Sequence, residues 1–235
     1  MKKEILDTIL SSRIKKQPLA IITNIADGTQ WAFVEEENEN SHVFTALEID
    51  TIKRSIKDNK SCLISDAKFF VNIYTPSLRL IIIGAVHIAQ FLAPMASVAG
   101  FDVTVVDPRA SFASPLRFPE INLLDEWPDE GIIQLKPDTR TAIVTLTHDP
   151  KLDDPALIEA LKTKAFYIAS LGGTRTHGKR VERLKSEGFD EKQLQRINGP
   201  AGLNIGAISP SEIAISILAE LTASLHGRLP YTRNI

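Results

Sequence analysis

Apolar and polar positions divide the chain into two stretches of different character. In the first, Ile5, Leu6, Ile9 and Leu10 recur at helical spacing and predict a helix over residues 1–12. Residues 19–25 and 31–34 read as strands, with Asp27-Gly28 as the hairpin turn between them. The charged run Glu35 to Asn40 reads as a solvated loop, and Val43 to Ala46 as a short strand. Leu47 to Lys57 predicts a helix, and Ser61–Ser65 with Phe69–Tyr74 a second hairpin. The sum is a small α+β unit, and Thr75-Pro76-Ser77 is a plausible boundary. The expected domains are therefore residues 1–76 and 77–235.

From Arg79 onward, continuous apolar runs alternate with helical stretches. Leu80–Ile83, Val103–Val106, Gly131–Leu135, Thr141–Thr147 and Ala165–Leu171 predict strands. Helices are expected from His87 to about Ala99, from Asp154-Pro155 to about Lys162, over Thr176–Glu187 before Gly188, and over Asp190–Arg196. Ser209, Pro210 and Glu212 form a capping box ahead of a last helix that ends near Leu225. Pro108 to Glu130 is irregular and long enough to suggest a functional loop. Strands that are apolar throughout belong to a parallel sheet covered on both faces. The right-handed crossover rule then favours an α/β fold, a Rossmann-like doubly wound sheet.

Composition narrows the function classes. With 235 residues and a net charge of -2, nothing points to nucleic acid or a membrane surface. The single cysteine, Cys62, excludes an internal disulfide, disfavours a cysteine-based zinc site and reads as a buried structural thiol. No apolar run approaches the roughly 20 residues of a membrane span. Met1-Lys2-Lys3-Glu4 lacks a signal peptide's apolar core, so a cytoplasmic location is expected.

Ligands of open parallel sheets sit beyond the carboxyl ends of the strands. Gly84 and His87 follow the first strand, and Asp107 and Arg109 the second. His148 and Asp149 follow a third; Gly172, Gly173, Arg175, His177 and Arg180 follow a fourth. Three of the five histidines thus belong to one edge and are expected to face one crevice. Gly172 to His177 is the better anion candidate, with flexible amides, a helix N-terminus and Arg175. Plainer readings compete. His87 is a candidate N-terminal cap, Asp107 a strand terminator and Thr147-His148-Asp149-Pro150 an ordinary turn; Lys179, Arg180 and Arg183 read as a charged helix face. The histidines lack the short spacing of helix-borne metal ligands, so no metal site is expected. Gly84-Ala85-Val86-His87-Ile88-Ala89 keeps the first glycine of a dinucleotide fingerprint but has Val86 at the second. No Gly-x-Ser-x-Gly elbow, HExxH or Walker loop is present.

The motifs Ile83–Gln90, Val103–Arg109, Thr147–Asp154, Ala165–Gly172 with Arg175-Thr176-His177, and Gly199–Ala207 occur in one order. In them the chain, from about Leu78 to Leu225, resembles the XdhC/CoxI family, accessory factors of xanthine and carbon monoxide dehydrogenases. The resemblance implies a chaperone that binds the molybdenum cofactor, as molybdopterin or its dinucleotide form. It implies support of sulfuration with a cysteine desulfurase and delivery to the apo-hydroxylase. The cofactor-binding residues would be Gly84, His87, Asp107, Arg109, His148, Asp149, Gly172, Gly173, Arg175 and His177. The family pattern usually has glycine where Val86 stands, a second basic residue in the Gly172 loop, and Asp where Asn204 stands. Relatives also carry an N-terminal Gly/Ser-rich segment ending in cysteine, of which residues 19–46 resemble only the flanking strands. Either a separate short XdhC/CoxI-type chain supplies that segment, or this chain does a reduced job. A homodimer is expected from base rates. The alternatives are an NAD(P)-dependent oxidoreductase, favoured by the βαβ unit and Asp107, and a pure interaction module.

Overall fold

A computed structural model describes residues 3–15, 17–34 and 43–228. Two compact units divide the chain, Met1–Pro76 and Ser77–Ile235. Among the described residues no helix is long and apolar enough to cross a membrane.

The first unit runs α1 (Lys3–Ile14), β1 (Leu19–Asn24), β2 (Gln30–Val34), α2 (Ala46–Asp58), β3 (Cys62–Ile64) and β4 (Phe69–Tyr74). Its sheet is antiparallel in the order β2-β1-β4-β3. One face buries Ala20, Ile22, Phe33 and Val71 against Ile52 and Ile56 of α2. Trp31, Phe44 and Phe69 meet edge to face there, with ring centroids 5.6–6.0 Å apart. On the other face Ile5 of α1 packs on Leu19, Ile21 and Val34. Val43 to Ala46 is not a strand. Val43 and Phe44 form a turn, and Thr45 caps α2. Its backbone N–H donates to Glu48 at 2.7 Å, and its hydroxyl accepts from the Glu48 amide at 3.3 Å. Satisfying these orphan helix donors outweighs the strand preference of Val43 and Phe44. Cys62, expected to be buried, is half-buried, its sulfur 3.1 Å from the Ser55 hydroxyl. The Glu35–Asn40 loop lies outside the described residues.

The second unit contains β5 (Leu78–Ile83), α3 (His87–Val98), β6 (Phe101–Val106), β7 (Asn122–Leu124), α4 (Pro128–Leu135) and β8 (Thr141–Thr145). It continues with α5 (Pro150–Lys162), β9 (Tyr167–Ser170), α6 (Thr174–Ser186), α7 (Glu191–Leu194), β10 (Ile197–Asn198) and α8 (Pro210–Leu225). All strand pairs are parallel, in the order β10-β9-β8-β5-β6-β7. This is the Rossmann order 3-2-1-4-5-6, with its switch point between β5 and β8. Side chains alternate between the faces. Leu80, Ile82, Val103 and Val105 pack under α3 and α8; Ile81, Ile83, Val106 and Ile143 pack under α4, α5 and α6. Ala89, Ala93 and Ala96, all fully buried, make a smooth inner face for α3.

Three expectations are corrected here. Gly131–Leu135 belongs to helix α4, which starts at Pro128 with Asp129 and Glu130 in its first turn. Gly131 is needed for packing, since a Cβ there would lie 2.6 Å from a Val106 methyl. Helix α5 starts at Pro150, not Pro155. The Asp149 carboxylate accepts from the Lys151 amide at 2.9 Å and caps it, leaving Pro155 inside the helix. Pro108–Glu130 is not wholly irregular, because β7 adds an edge strand to β6 within it.

Candidate functional site

The switch point is built on Gly84. Its φ of +103° is one that side-chain-bearing residues rarely adopt, and a Cβ would lie 2.6 Å from the Thr147 methyl. The exits of β5 and β8 are therefore in close contact. The next amide, Ala85 N–H, donates to Asp107 Oδ2 at 2.8 Å. The other carboxylate oxygen, Oδ1, accepts from the Arg109 amide at 3.0 Å and from Arg109 Nε at 2.8 Å, while Arg109 Nη2 donates to Oδ2 at 2.7 Å. Burial pushes the Asp107 carboxyl up, but the donors from Arg109 and Ala85 together outweigh it and hold it below the usual carboxylate value. Arg109 lies 4.3 Å over the Phe112 ring, and its hydrogen bonds to Asp107 outweigh burial and hold its guanidinium above the usual arginine value. Asp107 and Arg109 thus meet beside the Gly84 turn.

Val86 is the N-cap of α3 and supplies no side-chain hydrogen bond. His87 is the first helical residue rather than the cap. It is exposed and stacks on Phe91 with centroids 6.3 Å apart.

A second group forms where β8 turns into α5. Asp153, 1% exposed, accepts from Thr147 Oγ1 at 2.7 Å, the Thr147 amide at 3.3 Å and the His148 amide at 3.1 Å. These bonds hold His148 at φ +63°, left-handed backbone that costs a non-glycine residue roughly 1–2 kcal/mol. Beside it, Gly172 (φ +135°) and Gly173 lead into α6, whose N-terminus has no side-chain cap. Arg175 is exposed in the first turn. Arg180, 2% exposed, donates from Nη2 to the Leu171 carbonyl at 2.8 Å and lies 4.0 Å from Asp153. Among the described residues its Nε and Nη1 have no hydrogen-bond partner. Burial pushes Arg180 down and Asp153 up, each partly offset by the other's charge. A cleft of about 480 Å³ between α5 and α6 is lined by His148, Asp153, Arg175, Lys179, Arg180 and Arg183, among others.

His177 lies elsewhere, against the Gly199–Pro200 peptide. A Cβ on Gly199 would be 2.0 Å from its Nδ1. That late loop is pinned to α8 and β9. Glu220, buried, accepts from the Gly202 amide at 2.9 Å and the Tyr167 hydroxyl at 2.7 Å.

The residues chosen from sequence therefore divide. One set gathers at Gly84 and Asp107, and another at the α5–α6 cleft. The three histidines have different neighbours, His87 stacking on Phe91, His148 lining the α5–α6 cleft and His177 lying against Gly199. Among the described residues no group of three His, Cys, Asp or Glu is arranged to hold a metal ion. Sequence reasoning missed Asp153 and placed Arg180 on a charged helix face. Arg180 is four residues before buried Leu184, and Asp153 four before buried Leu157. A charge on an apolar stripe was the available signal. Starting α5 at Asp154 hid it for Asp153.

Residues 80–221 match the family described as the XdhC Rossmann domain. The chain is 30% identical over 156 residues to Uncharacterized protein YqeB of Escherichia coli K12, covering 65% of this chain and 28% of that one. It is 29% identical over 150 residues to the Molybdenum cofactor insertion chaperone PaoD of the same organism, covering 64% and 41%. A probable xanthine dehydrogenase subunit of Bacillus subtilis is 30% identical over 153 residues, covering 65% and 44%. The chain thus spans less than half the length of these relatives. A solved structure of a xanthine dehydrogenase from Bacillus halodurans has the same fold, with a TM-score of 0.68 at 22% identity over 98% of this chain and 66% of that one.

Proposed function

The chain belongs to the XdhC Rossmann domain family, and from that premise we propose that it serves the maturation of a xanthine dehydrogenase-type molybdenum enzyme by carrying the molybdenum cofactor as cargo. The observation that carries this reading is the likeness to a molybdenum cofactor insertion chaperone over 64% of the chain. The finer proposal is that the chain binds molybdopterin or its dinucleotide form at the carboxyl edge of β5, β6, β8 and β9. There it supports sulfuration by a cysteine desulfurase and insertion into a xanthine or carbon monoxide dehydrogenase-type apoenzyme. It works in the cytoplasm as a homodimer, and a separate short XdhC/CoxI-type chain supplies the N-terminal cysteine motif that this sequence lacks.

The chemistry of the edge fits such a cargo. The chain's only cysteine is Cys62, in the first unit, so no thiol lies within residues 77–235. Recognition at this edge then runs through the anionic and hydrogen-bonding parts of the cofactor. Cationic Arg175, Lys179 and Arg180 near the Gly172 turn suit a phosphate.

A second reading, an NAD(P)-dependent oxidoreductase, is favoured by the strand order and by Gly84. Asp107 weighs against it. A dinucleotide site uses the acidic residue at this tip for a ribose hydroxyl, but here both of its oxygens are bound to Ala85 and Arg109. Val86 adds bulk where a pyrophosphate needs bare backbone.

The test mixes purified chain with cofactor released anaerobically from a donor molybdenum enzyme. Molybdenum and oxidised pterin fluorescence are then followed through gel filtration. Near-stoichiometric retention is expected, with no binding of NADH or NADPH in the micromolar range. No retention, with or without the desulfurase and the apoenzyme, sinks the reading.

A further inference from the structure

We propose that the cleft between the first turns of α5 and α6 is a binding site for a phosphate group, with the buried Arg180 as its anchor. Burying an arginine is costly, and a buried guanidinium ordinarily has its N–H groups paired. Arg180 is 2% exposed, yet among the described residues Nε and Nη1 have no hydrogen-bond acceptor. The nearest carboxylate does not satisfy it. Asp153 lies 4.0 Å away, and its oxygens already accept from Thr147 and His148.

Cations outnumber acids in the surroundings. Four cationic side chains line the cleft, Arg175, Lys179, Arg180 and Arg183, against the carboxylates of Asp153 and Asp154. Asp154 is taken by Arg183, which donates to it from both Nε and Nη2. That leaves Arg175 and Lys179 without an acid of the cleft to pair with, and Nε and Nη1 of Arg180 without a hydrogen-bond acceptor among the described residues. The helix adds to this. The first turn of α6 has no acidic residue and no side-chain cap, and it carries Arg175. A cation there opposes the helix dipole, whereas an anion is favoured by the dipole and the open amides. Gly172 lies close to two of the lining residues, since a Cβ there would sit 3.1 Å from the Thr176 methyl and 3.7 Å from Arg180 Nη2.

A volume of about 480 Å³ accommodates more than an inorganic ion, so the phosphate end of a larger molecule fits as well as free phosphate. The site would hold the phosphate end of the proposed cargo, and in that use it rests on the cofactor reading. The phosphate chemistry itself rests on the geometry alone.

The experiment titrates the 15N-labelled full chain with inorganic phosphate, AMP or adenosine at constant ionic strength and follows the arginine Nε–H resonances. The Arg180 signal, identified by its loss in Arg180→Lys, is expected to move with phosphate and AMP but not with adenosine. AMP binding about tenfold tighter than phosphate marks an organophosphate site; equal affinities mark a free-oxyanion site. Arg175→Ala and Lys179→Ala alter exposed side chains and are each expected to weaken binding about fivefold or more. An Arg180 signal unmoved by either phosphate up to about 10 mM, or affinity unchanged in the Arg175→Ala/Lys179→Ala double variant, overturns the proposal. Phosphate binding without cofactor retention leaves the cleft standing and removes the cargo reading. Cofactor retention without phosphate binding does the reverse.

Discussion

Replacing Gly84 by alanine tests the switch point where the fold positions its candidate site. Two separate penalties follow from the structure. At φ +103° a side-chain-bearing residue occupies sparsely populated backbone space, at a cost of about 1–3 kcal/mol. The new methyl would also lie 2.6 Å from Thr147 Cγ2, which is not the far end of a flexible chain. Relieving that overlap means parting β5 from β8 or turning Thr147 away from Asp153, at a further cost of about 1–3 kcal/mol. The expected total is about 2–6 kcal/mol. A second substitution separates the two parts. Thr147→Ser removes the methyl and keeps the hydroxyl that donates to Asp153, so it should restore the steric share and leave the backbone share. Urea unfolding of the full chain, followed by helical circular dichroism, gives the four stabilities of the cycle. The second unit dominates that signal, holding six of the eight helices among the described residues. A coupling energy of about 1–3 kcal/mol is expected. A loss below about 0.5 kcal/mol for Gly84→Ala, or no coupling to Thr147→Ser, refutes the reasoning.

Other positions give simpler expectations. Asp107→Asn leaves Arg109 without its carboxylate and should cost about 1–3 kcal/mol at neutral pH in the same unfolding assay. Because the folded-state value of Asp107 is depressed, its stabilisation is full above the ordinary carboxylate value of 3.8 and is lost as pH falls through the depressed one. Wild type and variant should therefore converge in strong acid, and a gap independent of pH would contradict the assignment. Arg79 donates to the last carbonyls of α4, Leu135 O at 2.6 Å and Lys136 O at 3.3 Å. Arg79→Met should cost about 1–3 kcal/mol and speed amide exchange in α4. Thr45→Ala removes the cap of α2 and should cost about 1 kcal/mol, read as faster exchange of the Glu48 amide.

The Rossmann sheet was legible because its central strands are buried on both faces and so are apolar throughout, as in Leu80–Ile83 and Thr141–Thr145. The edge strands were not. Asn122–Leu124 and Ile197–Asn198 have three and two residues, too few to show a period. Gly131–Leu135 misled for a related reason, since a short apolar run does not distinguish strand from helix and Pro128 was the better guide. At the site, the turn residues Gly84, Asp107 and Gly172 were visible because glycine and acid mark strand exits. The neighbours of each histidine were not legible, because Phe91 and Gly199 reach His87 and His177 only through the packing of α3 and of the late loop. The burial of Arg180 was not legible because its sequence neighbours Lys179 and Arg183 suggest a solvated face, and only the packing of α6 buries it.

The central claim is that this edge holds the molybdenum cofactor during enzyme maturation. Arg175 and His148 are exposed, so replacing both with alanine should leave the fold intact. The direct measurement is cofactor retention by wild type and by the His148→Ala/Arg175→Ala variant, together with activation of the client apoenzyme by each. At least tenfold weaker retention, with a matching fall in activation, is predicted. Equal retention and equal activation by the two proteins would contradict the account.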